Sequence, residues 1–157
     1  MPEVHVLAQR GGSVSNQVRF GKKVYSPIIG KGQADILVAF EMMEAMRWLE
    51  YLKPGGKIVV NDFRIPSGPI LIGACDYPEQ VIEKLKEKAD TTVIQAGEIA
   101  KQIGNPRTMN LVLFGALVKG MNLTAIDFET EIAANVKPET LPLNLEAFRA
   151  GIAALGK

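Results

Sequence analysis

Asp35-Ile36-Leu37-Val38-Ala39, then Glu41-Met42-Met43-Glu44-Ala45-Met46-Arg47-Trp48-Leu49-Glu50-Tyr51-Leu52, then Pro54-Gly55-Gly56 and Lys57-Ile58-Val59-Val60-Asn61, spell out a strand, a helix, a turn and a second strand. The outer two runs are apolar without alternation, as expected of strands covered on both faces in a parallel sheet. Between them Met42, Ala45, Met46, Leu49 and Leu52 recur at helical spacing, with Glu44, Arg47 and Glu50 on the other side. The methionines therefore read as core filling. Such a β-α-β crossover is almost always right-handed, with its strands parallel.

Working outward, Gly30-Lys31-Gly32-Gln33-Ala34 looks like a phosphate loop but lacks its Gly-Lys-Ser/Thr ending and precedes a strand, so it reads as a connection. Val4 to Ala8 is a short apolar run. Val14 to Phe20 places Val14, Val18 and Phe20 on one strand face, and Lys23 to Ser26 can return as its hairpin partner. Downstream, Pro66 to Pro69 is a loop and Ile70 to Gly73 a short strand. Pro78 opens a helix whose inner face is Val81, Ile82, Leu85 and Ala89. Thr91 to Gln95 is a strand, and Ile99, Ala100 and Ile103 mark a short helix. Met109 to Val118 is a buried helix with a small-residue contact point at Gly115-Ala116, and Leu145, Phe148, Ile152 and Leu155 mark an amphipathic closing helix. The fold class is α/β: a three-layer sandwich with a mostly parallel sheet plus an N-terminal hairpin, one domain over residues 1–157.

Composition narrows the function. Eighteen Lys and Arg against seventeen Asp and Glu leave a charge of +1, which argues against nucleic acid or a membrane surface as partner. No run is long enough for a membrane span, and the expected location is the cytoplasm. One cysteine and one histidine cannot form a disulfide, a metal cage or an iron–sulfur site within the chain. Cys75, followed by Asp76, is expected to be buried and inert. His5 has no nucleophile motif beside it, and Glu41 and Glu44 with Arg47 read as a surface ion-pair network.

Ligands on parallel sheets lie at the carboxyl ends of the strands, which makes Phe40-Glu41 and Asn61 geometric candidates. The other candidate is the turn Gln9-Arg10-Gly11-Gly12-Ser13. Arg10 offers a planar fork of donors for carboxylate or phosphate, and the two glycines can turn successive N–H groups toward one point. Paired glycines between strands commonly do no more than turn the chain. Leu52 to Val60 also resembles a helix-turn-strand segment of class I methyltransferases, though nothing upstream matches their cofactor site.

Val4-His5, Gln9 to Val14, Val18-Arg19-Phe20-Gly21, Tyr25-Ser26-Pro27, Ala34 to Leu37, Glu41 to Ala45, Leu52 to Asn61 and Asn110 to Leu117 together resemble the gamma subunit or domain of 2-oxoacid:ferredoxin oxidoreductases, nearest to the beta subunit of the indolepyruvate enzymes. The resemblance implies a non-cluster-binding subunit of a complex that decarboxylates a 2-oxoacid oxidatively to an acyl-coenzyme A. Thiamine diphosphate, iron–sulfur clusters and coenzyme A are implied in the complex, with none bound by this chain alone. The implied partners are a larger thiamine-dependent iron–sulfur catalytic subunit and, through it, ferredoxin; a homo-oligomer is open for the isolated chain. Gln9, Arg10, Gly11, Gly12, Ser13 and Asn61 would face the junction on the substrate or coenzyme A side, with no catalytic residue and no metal ligand in this chain. Members of the family normally begin with a strand, a Gly-Gly-Gln-Gly turn and a helix ahead of the segment that opens here. The resemblance therefore implies an N-terminally shortened domain, with its sheet edge covered by a partner or its start set by truncation. The alternatives are a free-standing α/β binding or structural module that has lost the complex, and a methyltransferase-like domain.

Overall fold

Ile58, Val59 and Val60 are almost completely buried because successive side chains of their strand enter two different helical layers. A computed structural model describes residues 3–6 and 13–155, the first four by their backbone. Three parallel strands form the central sheet in the order β3-β4-β5: β3 (Ala34–Ala39), β4 (Leu52–Asn61) and β5 (Asp90–Ile94). Leu37 pairs with Ile58, and Val59 with Thr92. On one face Ala39, Ile58 and Val60 meet Met42 and Ala45 of α1 (Met42–Trp48) and Val81 and Leu85 of α3 (Val81–Lys88). On the other, Val59 and Ile94 meet α4 (Ala96–Gln102), α5 (Met109–Gly120) and α7 (Leu141–Ala154). The three-layer α/β sandwich follows from this two-sided burial. No helix among the described residues is long and apolar enough to cross a membrane.

The small-residue contact expected on α5 is present and reciprocal. A Cβ on Gly115 would stand 2.0 Å from the carbonyl oxygen of Phe148 in α7, and one on Gly151 would stand 1.9 Å from that of Val112. The two helices approach backbone to backbone, which no other residue type permits. Helix α6 (Phe128–Asn135), capped by Asp127 accepting from Thr130 N at 3.1 Å, covers the far side of this pair. Phe114, Phe128 and Phe148 cluster there with ring centroids 5.3 to 6.4 Å apart.

Several expectations are corrected. The hairpin joins β1 (Glu3–Val6) to β2 (Ser15–Val18), antiparallel, and Lys23 to Ser26 is not its partner. The Arg19 guanidinium donates to the carbonyl of Ile28 at 2.9 Å and of Ser26 at 3.4 Å, and Ser26 Oγ accepts from Ile28 N, so that segment is tied by side chains instead of a ladder. The run expected over Val14 to Phe20 is a strand only over Ser15–Val18, and Val14, Val18 and Phe20 are exposed instead of lining a core face. Strand β4 begins at Leu52: the pairing jumps from Ala34↔Leu52 to Ile36↔Lys57, and the intervening bulge holds Gly55 at φ +76°. Ile70 to Gly73 forms no strand. Residues Gly68–Leu71 are a short helix, α2, because Pro69 suits a first turn and Leu71 N finds Ser67 O at 2.9 Å. Pro78 lies before α3 instead of inside it, the chain turning through Gln80 at φ 56°. Cys75 is exposed, because α2 and the residues after it stand off the domain. The Gly30 to Ala34 segment is a connection, held to the end of the α1 region by Gly32 N on Glu50 O at 2.9 Å and Gln33 N on Tyr51 O at 3.0 Å.

Gly115→Ala and Gly151→Ala are each expected to cost about 3 kcal/mol or more, lowering the melting temperature by roughly 6–12 °C. Gly97→Ala, in α4 with only Met109 Sδ nearby at 3.8 Å, should raise it by about 1–4 °C. Differential scanning calorimetry on the three variants decides. Melting of Gly115→Ala at the unsubstituted temperature would contradict the backbone contact.

Candidate functional site

The carboxyl ends of the parallel strands are braced by a buried amide. Asn61, 1% exposed at the end of β4, donates through Nδ2 to Phe40 O at 3.1 Å and accepts at Oδ1 from Ala96 N at 2.9 Å. One side chain thus joins the end of β3, the end of β4 and the start of α4. Asp62 N adds a bond to Ile94 O at 2.8 Å. Of the residues expected at the site, Asn61 lies beneath it as a positioning group, its polar atoms satisfied within the chain.

Beside the brace sits a second buried polar group. Glu41, 4% exposed, is the N-cap of α1 and accepts from Glu44 N at 2.9 Å, from Ile65 N at 3.3 Å and from the phenol of Tyr77. Tyr77 Oη in turn accepts from Met43 N at 3.1 Å. Burial, and then the bond to Glu41, hold the Tyr77 hydroxyl protonated well above the ordinary tyrosine range, while Arg64 lies over its ring at 5.1 Å. The pairing of Glu41 with Glu44 in one surface network is therefore half corrected. Glu44 does hold Arg47 at 3.1 Å, whereas Glu41 points inward. The signal that could have found it was an acidic residue directly before a helix and at the end of a buried strand, where a carboxylate caps free N–H groups.

The turn Gln9 to Gly12 lies outside the described residues. Its flanks are placed: Val6 pairs with Ser15, and Ser13 Oγ donates to Glu44 Oε2 on α1. Ser13 is thereby placed against α1, one turn from the Glu41 cap. Ser13, Glu41, Glu44 and Asn61 come together at the carboxyl ends of the strands. A cleft of about 300 Å³ lies close by, lined by Met42, Asp62, Arg64, Glu83 and Lys86. No group of three or more His, Cys, Asp or Glu among the described residues is placed to hold a metal ion. The sole cysteine cannot supply the four thiolates of an iron–sulfur cluster. The arrangement brings a hydroxyl, two carboxylates and an amide to the carboxyl ends of the strands, polar groups that can bind and position a ligand.

A family described as pyruvate ferredoxin/flavodoxin oxidoreductase matches residues 2–154. Indolepyruvate oxidoreductase subunit IorB of Thermococcus kodakarensis is 35% identical over 160 residues, covering 97% of this chain and 78% of that protein. The subunit of the same name from Pyrococcus horikoshii is 36% identical over 158 residues, with 97% and 78% covered. Among solved structures, the gamma subunit of keto/oxoacid ferredoxin oxidoreductase from Geobacter sulfurreducens superimposes with a TM-score of 0.63 at 22% identity, over 99% of this chain and 80% of that one. The 2-oxoglutarate:ferredoxin oxidoreductase of Magnetococcus marinus superimposes with a TM-score of 0.62 at 22% identity, over 86% of this chain but only 21% of that one. These two structures share the fold.

Removing the Tyr77 hydroxyl leaves the buried Glu41 carboxylate short of a donor. Tyr77→Phe should therefore destabilise the chain by about 2 kcal/mol, roughly 4–8 °C in melting temperature at neutral pH. The sign with pH follows from the raised value. Folding holds the Tyr77 proton more tightly than the unfolded chain does, so its contribution is complete below the ordinary value of 10.0 and is lost as pH rises beyond it. Melting curves from pH 7 to 11 should show the gap between the two proteins narrowing above about pH 10. A gap that widens there contradicts the assignment.

Proposed function

The chain belongs to the pyruvate ferredoxin/flavodoxin oxidoreductase family, and from that membership we propose that it works as the small subunit of a 2-oxoacid:ferredoxin oxidoreductase of the indolepyruvate type. The observation that carries this is the extent of the match: residues 2–154 fall inside the family, with the paired-glycine turn and both core faces included. The same span takes in Leu52 to Val60, which leaves the methyltransferase-like reading without a feature of its own.

In the proposed reaction a 2-oxoacid with an aryl side chain, coenzyme A and two oxidised ferredoxins give an acyl-coenzyme A, carbon dioxide, two reduced ferredoxins and a proton. Thiamine diphosphate, bound in the larger chain, supplies the electron sink at the carbonyl carbon, and iron–sulfur clusters there carry the electrons away. This chain's share is to shape the cleft. Arg10 would hold a substrate carboxylate or a coenzyme phosphate with its guanidinium fork, and Ser13, three residues on, is bonded to Glu44 of α1. The exposed apolar side chains of Val18 at the end of β2 and of Val14 and Phe20 flanking it support an assembled state over a free-standing module.

Coexpression with the neighbouring thiamine-dependent chain tests the reading. The two should copurify as a complex that reduces ferredoxin with indolepyruvate and coenzyme A, while either chain alone is inactive. Arg10→Ala should lower kcat/KM of the complex by about 10–100-fold. Its effect on the melting temperature of this subunit should stay within about 2 °C. Full activity of the Arg10→Ala complex would remove the anion-holding role.

A further inference from the structure

Between the end of β4 and the start of α3 the chain makes an excursion over residues 62–80, of which only Tyr77 is packed against a core cluster. Its base is fastened: Met42 N donates to Phe63 O at 3.1 Å, and Ile65 N and Tyr77 Oη both donate to Glu41. Beyond the base it stands free. Among the described residues, the hydrogen bonds of residues 66–76 all close within that stretch, from Leu71 N to Ser67 O, Ile72 N to Gly68 O, Gly73 N to Ile70 O and Ala74 N to Pro69 O. Yet the stretch is apolar. Leu71 is 72% and Ile72 81% exposed, and Phe63, Ile65 and the adjoining Phe40 are about half exposed. Long irregular excursions from a compact domain usually bind something, and a contiguous apolar surface marks a protein contact.

Resting on the small-subunit reading above, we propose that residues 63–76 form a docking arm that inserts into an apolar groove of the larger thiamine-dependent chain. Three observations favour that occupant. The arm carries one cation, Arg64, and one anion, Asp76, at its two ends, with neutral residues between, so its complement is an uncharged groove and not an anionic polymer or lipid surface. A second copy of this chain fits poorly. Complete coverage of Phe40, Phe63, Ile65, Leu71 and Ile72 removes roughly 500 Å² per arm from water, so two arms packed together bury about 1,000 Å², short of the ~1,600 Å² of a standard interface. The cleft beside the arm is lined by Asp62, Arg64, Glu83 and Lys86, which would leave charges unpaired under an apolar guest. A larger chain can instead also reach Ser13, which is bonded to Glu44 on the same helix that Glu41 caps. Finally, the fold occurs as about a fifth of a much longer oxidoreductase chain in the Magnetococcus enzyme, where 21% of that chain aligns.

Cys75, exposed and the only cysteine of the chain, is a built-in reporter on the arm. Its alkylation by iodoacetamide, followed by mass spectrometry of the peptide that contains it, should slow at least tenfold when the subunit is assembled with the larger chain. The double variant Leu71→Asp, Ile72→Asp should melt at the temperature of the unsubstituted subunit, since those side chains touch no core, and bind the larger chain at least a hundredfold more weakly. Unchanged alkylation in a formed complex, or unweakened binding by a folded double variant, overturns the arm while leaving the small-subunit reading intact. Failure of the unsubstituted subunit to bind the larger chain overturns both.

Discussion

The carboxylate of Glu41 fixes the working end of this protein. Placed at the end of a buried strand and the start of a helix, it satisfies a free helical N–H, takes the Ile65 amide and accepts the Tyr77 phenol. A buried carboxylate is tolerated only when its lone pairs are used, and here they are used by groups from three stretches of chain. The α1 start and both ends of the excursion between β4 and α3 therefore have one common fastening. The Asn61 amide does the corresponding work for the strand ends and for α4, so the rim of the sheet is held by two polar side chains standing on a wholly apolar floor.

How much of this was legible from the residues depended on the range of the interaction. The β-α-β unit could be read because Ile58 to Val60 and the Met42, Ala45, Met46 stripe carry their environment in their spacing. The contact at Gly115 was legible for the same reason, since small residues in an apolar helix need a close neighbour. Ile70 to Gly73 misled, because four apolar residues in a row say burial, and only the missing neighbouring strand says otherwise. Cys75 misled with them, being carried on the same exposed stretch. Lys23 to Ser26 looked like a returning strand, but its carbonyls were claimed by Arg19, a side chain whose reach no local pattern records. Glu41 was the hardest to read. What turns it inward is Tyr77, 36 residues further along the chain.

The apolar groups on the outside of the molecule make sense together. Val14, Val18 and Phe20 lie in and beside the second strand of the hairpin, and Leu71 and Ile72 lie on the excursion after β4. Among the described residues neither set belongs to a core cluster, while both faces of the sheet are packed against helices. Exposed apolar side chains of this kind on an otherwise packed domain suit a chain that works within a larger assembly, as proposed above.

The paired glycines on α5 and α7 have an effect beyond allowing close approach. Gly115 sits under the Phe148 carbonyl, and Gly151 sits under that of Val112, so each helix has a notch that receives the other's backbone. Sliding α7 along α5 by even one residue would drive a side chain into each notch. The pair therefore acts as a two-pin key with a single seating, and it fixes the register of α7, and with it the Phe148 cluster, against α5.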